Sequence, residues 1–158
     1  MKYFPILKIL TAILCVAAVV FVILAATEIN FLSMLANDKA VLSEKEKRTF
    51  QECAVQLFGN IGYFVVTLTS VWLFVSTLRD GTPFTKKTSN ILFLIAAEIF
   101  ITAFIAPFAG KAVTMSVIGG SYIFANGTND MFAGVLLFAV STFFRYGTML
   151  QQESDETL

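Results

Sequence analysis

One carboxylate interrupts the most apolar part of the chain. Residues 91–107 read ILFLIAAEIFITAFIAP, and Glu98 is the single charged residue among these seventeen. A charged side chain near the centre of a bilayer costs roughly 2.5–3.5 kcal/mol on insertion scales. Acids in such positions serve proton or cation pathways in some proteins and join helices by hydrogen bonds in others. Both kinds of chemistry are therefore candidates for Glu98.

Arg145 is the predicted ion-pair partner of Glu98. It follows fourteen uncharged residues that begin at Met131, near the end of the last apolar stretch. Side chains lean toward the N-terminus of their own helix, so on antiparallel helices Glu98 and Arg145 lean toward each other. The alternative is a neutral Glu98 that holds helices together by a hydrogen bond to a hydroxyl group. The candidate donors for that bond are the hydroxyl groups of Thr67, Thr69, Ser70 and Thr102.

Other chemically active residue types are scarce. The chain has no histidine, which removes the commonest general base and metal ligand. Its two cysteines, Cys15 and Cys53, lack metal or redox spacing and are expected to be free thiols. No Ser-x-x-Lys or Gly-x-Ser-x-Gly nucleophile pattern occurs. The sequence therefore predicts no catalytic residue, no metal site and no cofactor, and the protein is not expected to be an enzyme.

The composition predicts a membrane protein. Of the 158 residues, 57% are hydrophobic, and the mean hydropathy is +0.79. Soluble domains are nearer about 45–50% apolar. The formal net charge is zero, so no overall field favours direct binding of nucleic acid. The expected solvent for much of the chain is the lipid bilayer.

Four stretches are long enough to cross a bilayer, which requires roughly 20 apolar residues in a helix. Their approximate bounds are 5–27, 57–78, 88–108 and 130–150. Because a helix satisfies its own backbone in lipid, the predicted fold class is all-α. It is a single domain, residues 1–158, formed by a bundle of four transmembrane helices. Glycine and alanine on the helix faces permit a homodimer without requiring one.

The first connection is predicted to be a long extracytoplasmic helical hairpin. Ser43 and Glu46 form the S-x-x-E pattern of a capping box. No proline interrupts the chain from there into the second span. Between the third and fourth spans, Pro107 is expected to end a helix. Residues 112–129 are then interfacial, partly re-entrant or a fifth span.

Basic residues set the expected orientation. The connection between the second and third spans, RDGTPFTKK, holds three basic residues in nine. The opposite, first connection mixes its basic residues with acidic ones. Both termini and this basic turn are therefore predicted to lie on the cytoplasmic side of the cell membrane.

The basic turn and the acidic tail, residues 151–158, are the predicted partner-binding surface. Gly81 and Pro83 can shape the turn, and Thr85 can cap the third helix. In the plainer alternative the turn is a connector and the tail stays solvated. The candidate residues are Arg79, Gly81, Pro83, Phe84, Lys86, Lys87, Glu153, Asp155 and Glu156.

Two motifs are similar to those of a bacterial integral membrane family called domain of unknown function 2975. They are the turn Gly81-x-Pro83-Phe84-Thr85 and a closing Tyr146-Gly147 that is followed by Leu-Gln-x-Glu-x-Asp-x-x-Leu. Such proteins are often encoded beside a small helix-turn-helix regulator. The resemblance therefore implies that the turn and tail hold a DNA-binding regulator at the membrane. The alternative function is a small transport or immunity-type membrane protein that uses Glu98 in a bundle cavity.

Overall fold

The structure, a computed structural model, describes residues 4–37, 42–80, 85–120 and 128–156. This part of the chain forms four α-helices and confirms the all-α prediction. They are α1 (Phe4–Asn37), α2 (Glu44–Asp80), α3 (Lys86–Ile118) and α4 (Thr128–Glu156). All four are long and apolar enough to cross a membrane, as a multi-pass protein requires.

The first two helices extend well beyond the length of a membrane span. With 34 and 37 residues, they are roughly 51 and 55 Å long at 1.5 Å per residue. The capping box forms as predicted: the Ser43 backbone N–H donates to Glu46 Oε2 at 2.7 Å, and the Glu46 N–H donates to Ser43 Oγ at 3.4 Å. The two long helices and the cap agree with the predicted hairpin; the hairpin itself and the side of the membrane on which it lies stay predictions.

The prediction that Pro107 ends the third helix is wrong. Pro107 lies inside α3, which continues to Ile118. A proline removes one backbone hydrogen bond, and packing against a neighbouring helix can compensate for that loss. Ala106 and Gly110 beside it are buried. The helix ends instead at Gly119, whose φ of 71° is the left-handed conformation that glycine favours.

The third connection is consequently shorter than predicted. Residues 112–118 belong to α3, and residues 121–127 lie outside the described part of the chain. Between the ends of α3 and α4 there remain nine residues, 119–127. Nine residues are too few for a fifth span, which needs roughly 20.

The helices pack in chain order. Among the described residues, sustained contacts join α1 to α2, α2 to α3 and α3 to α4. This row of antiparallel pairs differs from a closed bundle, in which α1 and α4 would also pack together. α1 has one such neighbour, and its long side chains, such as Ile13 and Val16, are largely exposed. That exposure is the state expected of a helix solvated by lipid.

Small residues determine how closely the neighbouring helices approach. A Cβ on Gly110 would lie 2.7 Å from the Val55 backbone nitrogen, and one on Gly62 would overlap the Thr102 side chain. Gly134 faces Phe100 on α3 in the same way, with 3.3 Å to the Phe100 nitrogen. These contacts fix the register of α3 against both of its neighbours.

Three helices meet at what we call the hairpin end, which comprises the C-terminal parts of α1 and α3 and the N-terminal part of α2. Leu32, Phe50 and Ala54 form a buried apolar cluster there. Gln51 and Thr114 are buried beside it. The hairpin end therefore holds a well-packed core, and the opposite end of the same helices has a different composition.

Candidate functional site

Glu98 is held by a hydroxyl group of the neighbouring helix. Thr69 Oγ1 donates to Glu98 Oε1 at 2.9 Å, and this bond joins α2 to α3. The second oxygen, Oε2, is buried without a hydrogen-bond partner among the described residues. The contact with Thr69 is the one that the alternative to the ion pair predicted. Glu98 thus combines a helix-joining bond with one carboxylate oxygen that remains available.

Arg145 does not pair with Glu98. Ser89 Oγ donates to the Ser141 carbonyl at 3.3 Å, and this bond sets the register of α4 along α3. In that register Arg145 lies beside Lys86, and both line one cavity. Glu98 is twelve residues further along α3, roughly 18 Å at 1.5 Å per residue. Arg145 is exposed, and within the described part of the chain it forms no ion pair with Glu98.

The ion-pair prediction failed because of an assumed register. It placed Leu150 level with the start of the third helix. α4 instead continues to Glu156, so its last turns extend past the first turn of α3. The rule for side-chain directions remains valid. The lean of two side chains toward each other is nevertheless too short to span this larger separation.

A second polar pair was missed by the sequence reasoning. The Asn60 Nδ2 amide donates to both carboxylate oxygens of Glu28, at 2.9 and 3.0 Å. This pair joins α1 to α2. The available signal was one polar residue in each of two neighbouring apolar stretches. Their pairing also depends on the alignment of the two helices, because Glu28 lies nine residues before the end of α1 and Asn60 sixteen residues after the start of α2.

The first turn of α3 is the centre of what we call the basic end, which comprises the C-terminal parts of α2 and α4 and the N-terminal part of α3. Thr85 caps α3: its Oγ1 accepts from the Thr88 N–H at 3.0 Å, as the sequence predicted. Lys87 lies 3.8 Å from Asp80 Oδ2. Ser76 Oγ donates to the same carboxylate oxygen at 3.3 Å. Asp80 therefore links α2 to α3, and the sequence analysis did not single it out.

Two cations of the basic end have no acidic partner among the described side chains. Among the described side chains, neither Lys86 nor Arg145 forms an ion pair with a carboxylate. Arg79, at the end of α2, is exposed. In this part of the molecule positive charge therefore exceeds negative charge among the described side chains.

Three adjoining cavities surround the first turns of α3. The largest, about 470 Å³, shares Lys86 with a second of about 220 Å³ and Asn90 with a third of about 350 Å³. Arg145 lines the second and third. The three cavities are therefore neighbours that share lining residues.

The predicted partner-binding residues are only partly placed. Gly81, Pro83 and Phe84 lie outside the described residues. The tail is helical through Glu156, and Glu153 on it is exposed. The backbone of Asp155 belongs to the same last turns.

In the described residues no group of three or more histidine, cysteine, aspartate or glutamate side chains could hold a metal ion.

A family model described as "Protein of unknown function (DUF2975)" matches residues 34–158. The match covers both motifs that carried the resemblance and confirms it. No curated protein and no solved structure matches the chain.

Proposed function

We propose, for a chain that belongs to the DUF2975 family of proteins of unknown function, the role of a non-enzymatic regulatory protein of the bacterial inner membrane. In this proposal both termini lie in the cytoplasm. The basic end and the end of α4 then form a surface that binds a small helix-turn-helix transcription regulator. The shape of α4 carries the proposal: it continues as one helix to Glu156, beyond the level at which α3 begins.

The tail carries three acidic residues on one helix. Glu153 is exposed on it, and Asp155 and Glu156 follow within the same helix. DNA-binding modules carry basic residues that contact phosphates. Carboxylates on a helix can bind those same basic residues. Binding to the membrane protein would then compete with binding to DNA, and this competition provides a physical basis for regulation.

The polar groups of the spans support a structural role rather than a catalytic one. Asn60 bonds Glu28 across α1 and α2, and Thr69 bonds Glu98 across α2 and α3. Interhelical hydrogen bonds of this kind stabilise helix association by about 0.6 kcal/mol on average. Glu28 and Glu98 thus each accept a hydrogen bond between helices, and this structural role needs no substrate.

The test is capture of the regulator from solubilised membranes. We expect the full-length chain to retain a small helix-turn-helix protein, such as the product of a neighbouring reading frame. The variant Glu153→Lys, Asp155→Lys, Glu156→Lys should retain at least tenfold less, because like charges then face each other. A control that reverses acids at the hairpin end, Glu44→Lys and Glu52→Lys, should retain as much as the full-length chain. Equal capture by all three proteins, or capture of no DNA-binding protein by any, contradicts the proposal.

A second candidate function rests on the free oxygen of Glu98. Its Oε2 is buried and has no partner among the described residues, so it could bind a proton or a cation during transport. Replacing Glu98 by Gln keeps an acceptor for Thr69 but removes the ionisable group. Loss of ion flux in proteoliposomes with this variant would favour transport. Flux that is absent from both proteins, or equal in both, contradicts it.

A further inference from the structure

Two cations share one cavity at the basic end. Lys86 and Arg145 both line the 220 Å³ cavity between α3 and α4. Like charges that line one cavity repel each other, and an anion bound between them would lower that repulsion. Each lacks a carboxylate partner among the described side chains. The cavity therefore has the charge of an anion site.

The other groups around the cavity suit a phosphate. Thr148 and Gln152 complete its polar lining, and a hydroxyl and an amide both hydrogen-bond phosphate oxygens. An ammonium and a guanidinium are the side-chain groups that most often bind phosphate in proteins. The linings of the three neighbouring cavities include no described Asp or Glu.

An apolar groove leads away from Lys86, one of these two cations. The 470 Å³ cavity starts at Lys86, Lys87 and Asn90 and is continued by Trp72, Ile91 and Leu94. Trp72 and Leu94 are 52% and 43% exposed, so the groove is open along one side. A free phosphate would leave this groove empty. A molecule with an anionic head and hydrocarbon chains would fill both parts.

The position of the groove fits a membrane interface. Tryptophan and lysine are enriched at the level of lipid headgroups, and basic pockets between transmembrane helices bind anionic headgroups. Trp72 lies two turns before the end of α2, and Lys86 begins α3. The groove therefore runs from the headgroup region toward the hydrocarbon.

We propose that the basic end binds an anionic phospholipid, with its phosphate between Lys86 and Arg145 and its acyl chains along Trp72, Ile91 and Leu94. The inference does not depend on the regulator. It rests on the cavities and on two cations that lack a carboxylate partner among the described side chains, whereas the proposed function rests on the acidic end of α4.

Trp72 makes this site directly observable, because it is the single tryptophan of the chain. Phospholipids with brominated acyl chains quench tryptophan fluorescence at contact distance. The full-length protein in nanodiscs would be titrated with brominated phosphatidylglycerol or with brominated phosphatidylcholine. We expect half-maximal quenching at about tenfold lower mole fraction of phosphatidylglycerol, as two basic contacts predict.

Charge variants show whether Lys86 and Arg145 cause this preference. In the variant Lys86→Gln, Arg145→Gln, the two quenching curves should coincide. The control Lys45→Gln, Lys111→Gln removes the same charge from other positions and should keep the tenfold preference. The variant Arg145→Lys keeps the positive charge and should therefore keep most of the preference for phosphatidylglycerol. It can be measured even if the double variant does not fold.

Other outcomes overturn the proposal. One is equal quenching by the two lipids in the unaltered protein. Another is a preference for phosphatidylglycerol that remains after both cations are replaced. Excess inorganic phosphate should not relieve quenching by brominated phosphatidylglycerol. If it does, the cavity takes free phosphate and the lipid assignment is wrong.

Discussion

The hairpin end and the basic end are each formed by three helices, yet they are packed in different ways. At the hairpin end, Phe50 is 2% exposed, and Leu32 and Ala54 complete an apolar cluster around it. At the basic end the buried side chains include hydroxyl groups such as Ser76 and Ser89, and Lys86 and Arg145 line a cavity beside them. One end of the molecule has an apolar core, and the other combines polar helix contacts with exposed cations.

Residue size and charge explain the difference. Gly110 lets α3 approach the backbone of α2 at Val55, whereas long cations at the basic end need space and solvation. Dense apolar packing supplies stability but offers no site for a ligand. We therefore assign most of the stability to the hairpin end and binding to the basic end.

The largest expected loss of stability is at Phe50. Its replacement by Ala should lower the free energy of unfolding by about 3–5 kcal/mol, because a large side chain is removed from a closed core. Unfolding of the protein in mixed micelles by sodium dodecyl sulfate measures the change. Phe143, which is 75% exposed, is the matched control, and its replacement by Ala should cost less than 1 kcal/mol. Equal losses for the two variants would remove the distinction between core and surface.

The close approach at Gly110 should have the next largest effect. A Cβ there meets the Val55 backbone at 2.7 Å, so Gly110→Ala should destabilise by about 1–3 kcal/mol. Gly59 lies in the same helix pair with nothing within 4 Å of an added Cβ. The variant Gly59→Ala should therefore be neutral or more stable by about 0.5–1 kcal/mol. A neutral Gly110→Ala variant would show that α2 and α3 are not in close contact there.

Two substitutions test the helix caps, one at each end of the molecule. Ser43→Ala removes the capping box of α2, and Thr85→Ala removes the hydroxyl that accepts from Thr88. Each should cost about 1 kcal/mol. Hydrogen exchange should speed up in the first turn of the affected helix alone. Faster exchange along a whole helix, or no change, would contradict the local role of the cap.

The smallest effect concerns Glu98. A double-mutant cycle with Thr69→Val and Glu98→Gln should give a coupling of about 0.6 kcal/mol, the average for interhelical hydrogen bonds in membranes. A second cycle with Arg145→Gln and Glu98→Gln should give none, since about 18 Å along α3 separates the two residues. A measurable coupling energy in the second cycle would instead support the ion pair that the sequence predicted.

Local patterns predicted the elements of this fold well. Four apolar stretches became four helices, and the patterns at Ser43 and Thr85 became helix caps. These features depend on residues that are close in the sequence. A capping pattern contains its own hydrogen-bond donor and acceptor, so it can be read without knowing what packs nearby.

Features that depend on helix register were not predicted. Pro107 resembles a helix end until the packing of Ala106 and Gly110 is known. Arg145 was placed at the wrong level because α4 extends to Glu156. The bond between Glu28 and Asn60 likewise needs the alignment of two helices. Register is set by glycine contacts between helices, and a single sequence does not say which glycine meets which side chain.

Site-directed labelling tests most directly the claim that the basic end faces the cytoplasm and the hairpin end faces outward. Cys15 and Cys53 would first be replaced by Ser, and single cysteines would then be placed at Asn37 and at Glu153, both exposed. In intact cells a membrane-impermeant maleimide should label Asn37→Cys and leave Glu153→Cys unlabelled until the membrane is permeabilised. The reverse pattern, or labelling of both positions in intact cells, would contradict the account.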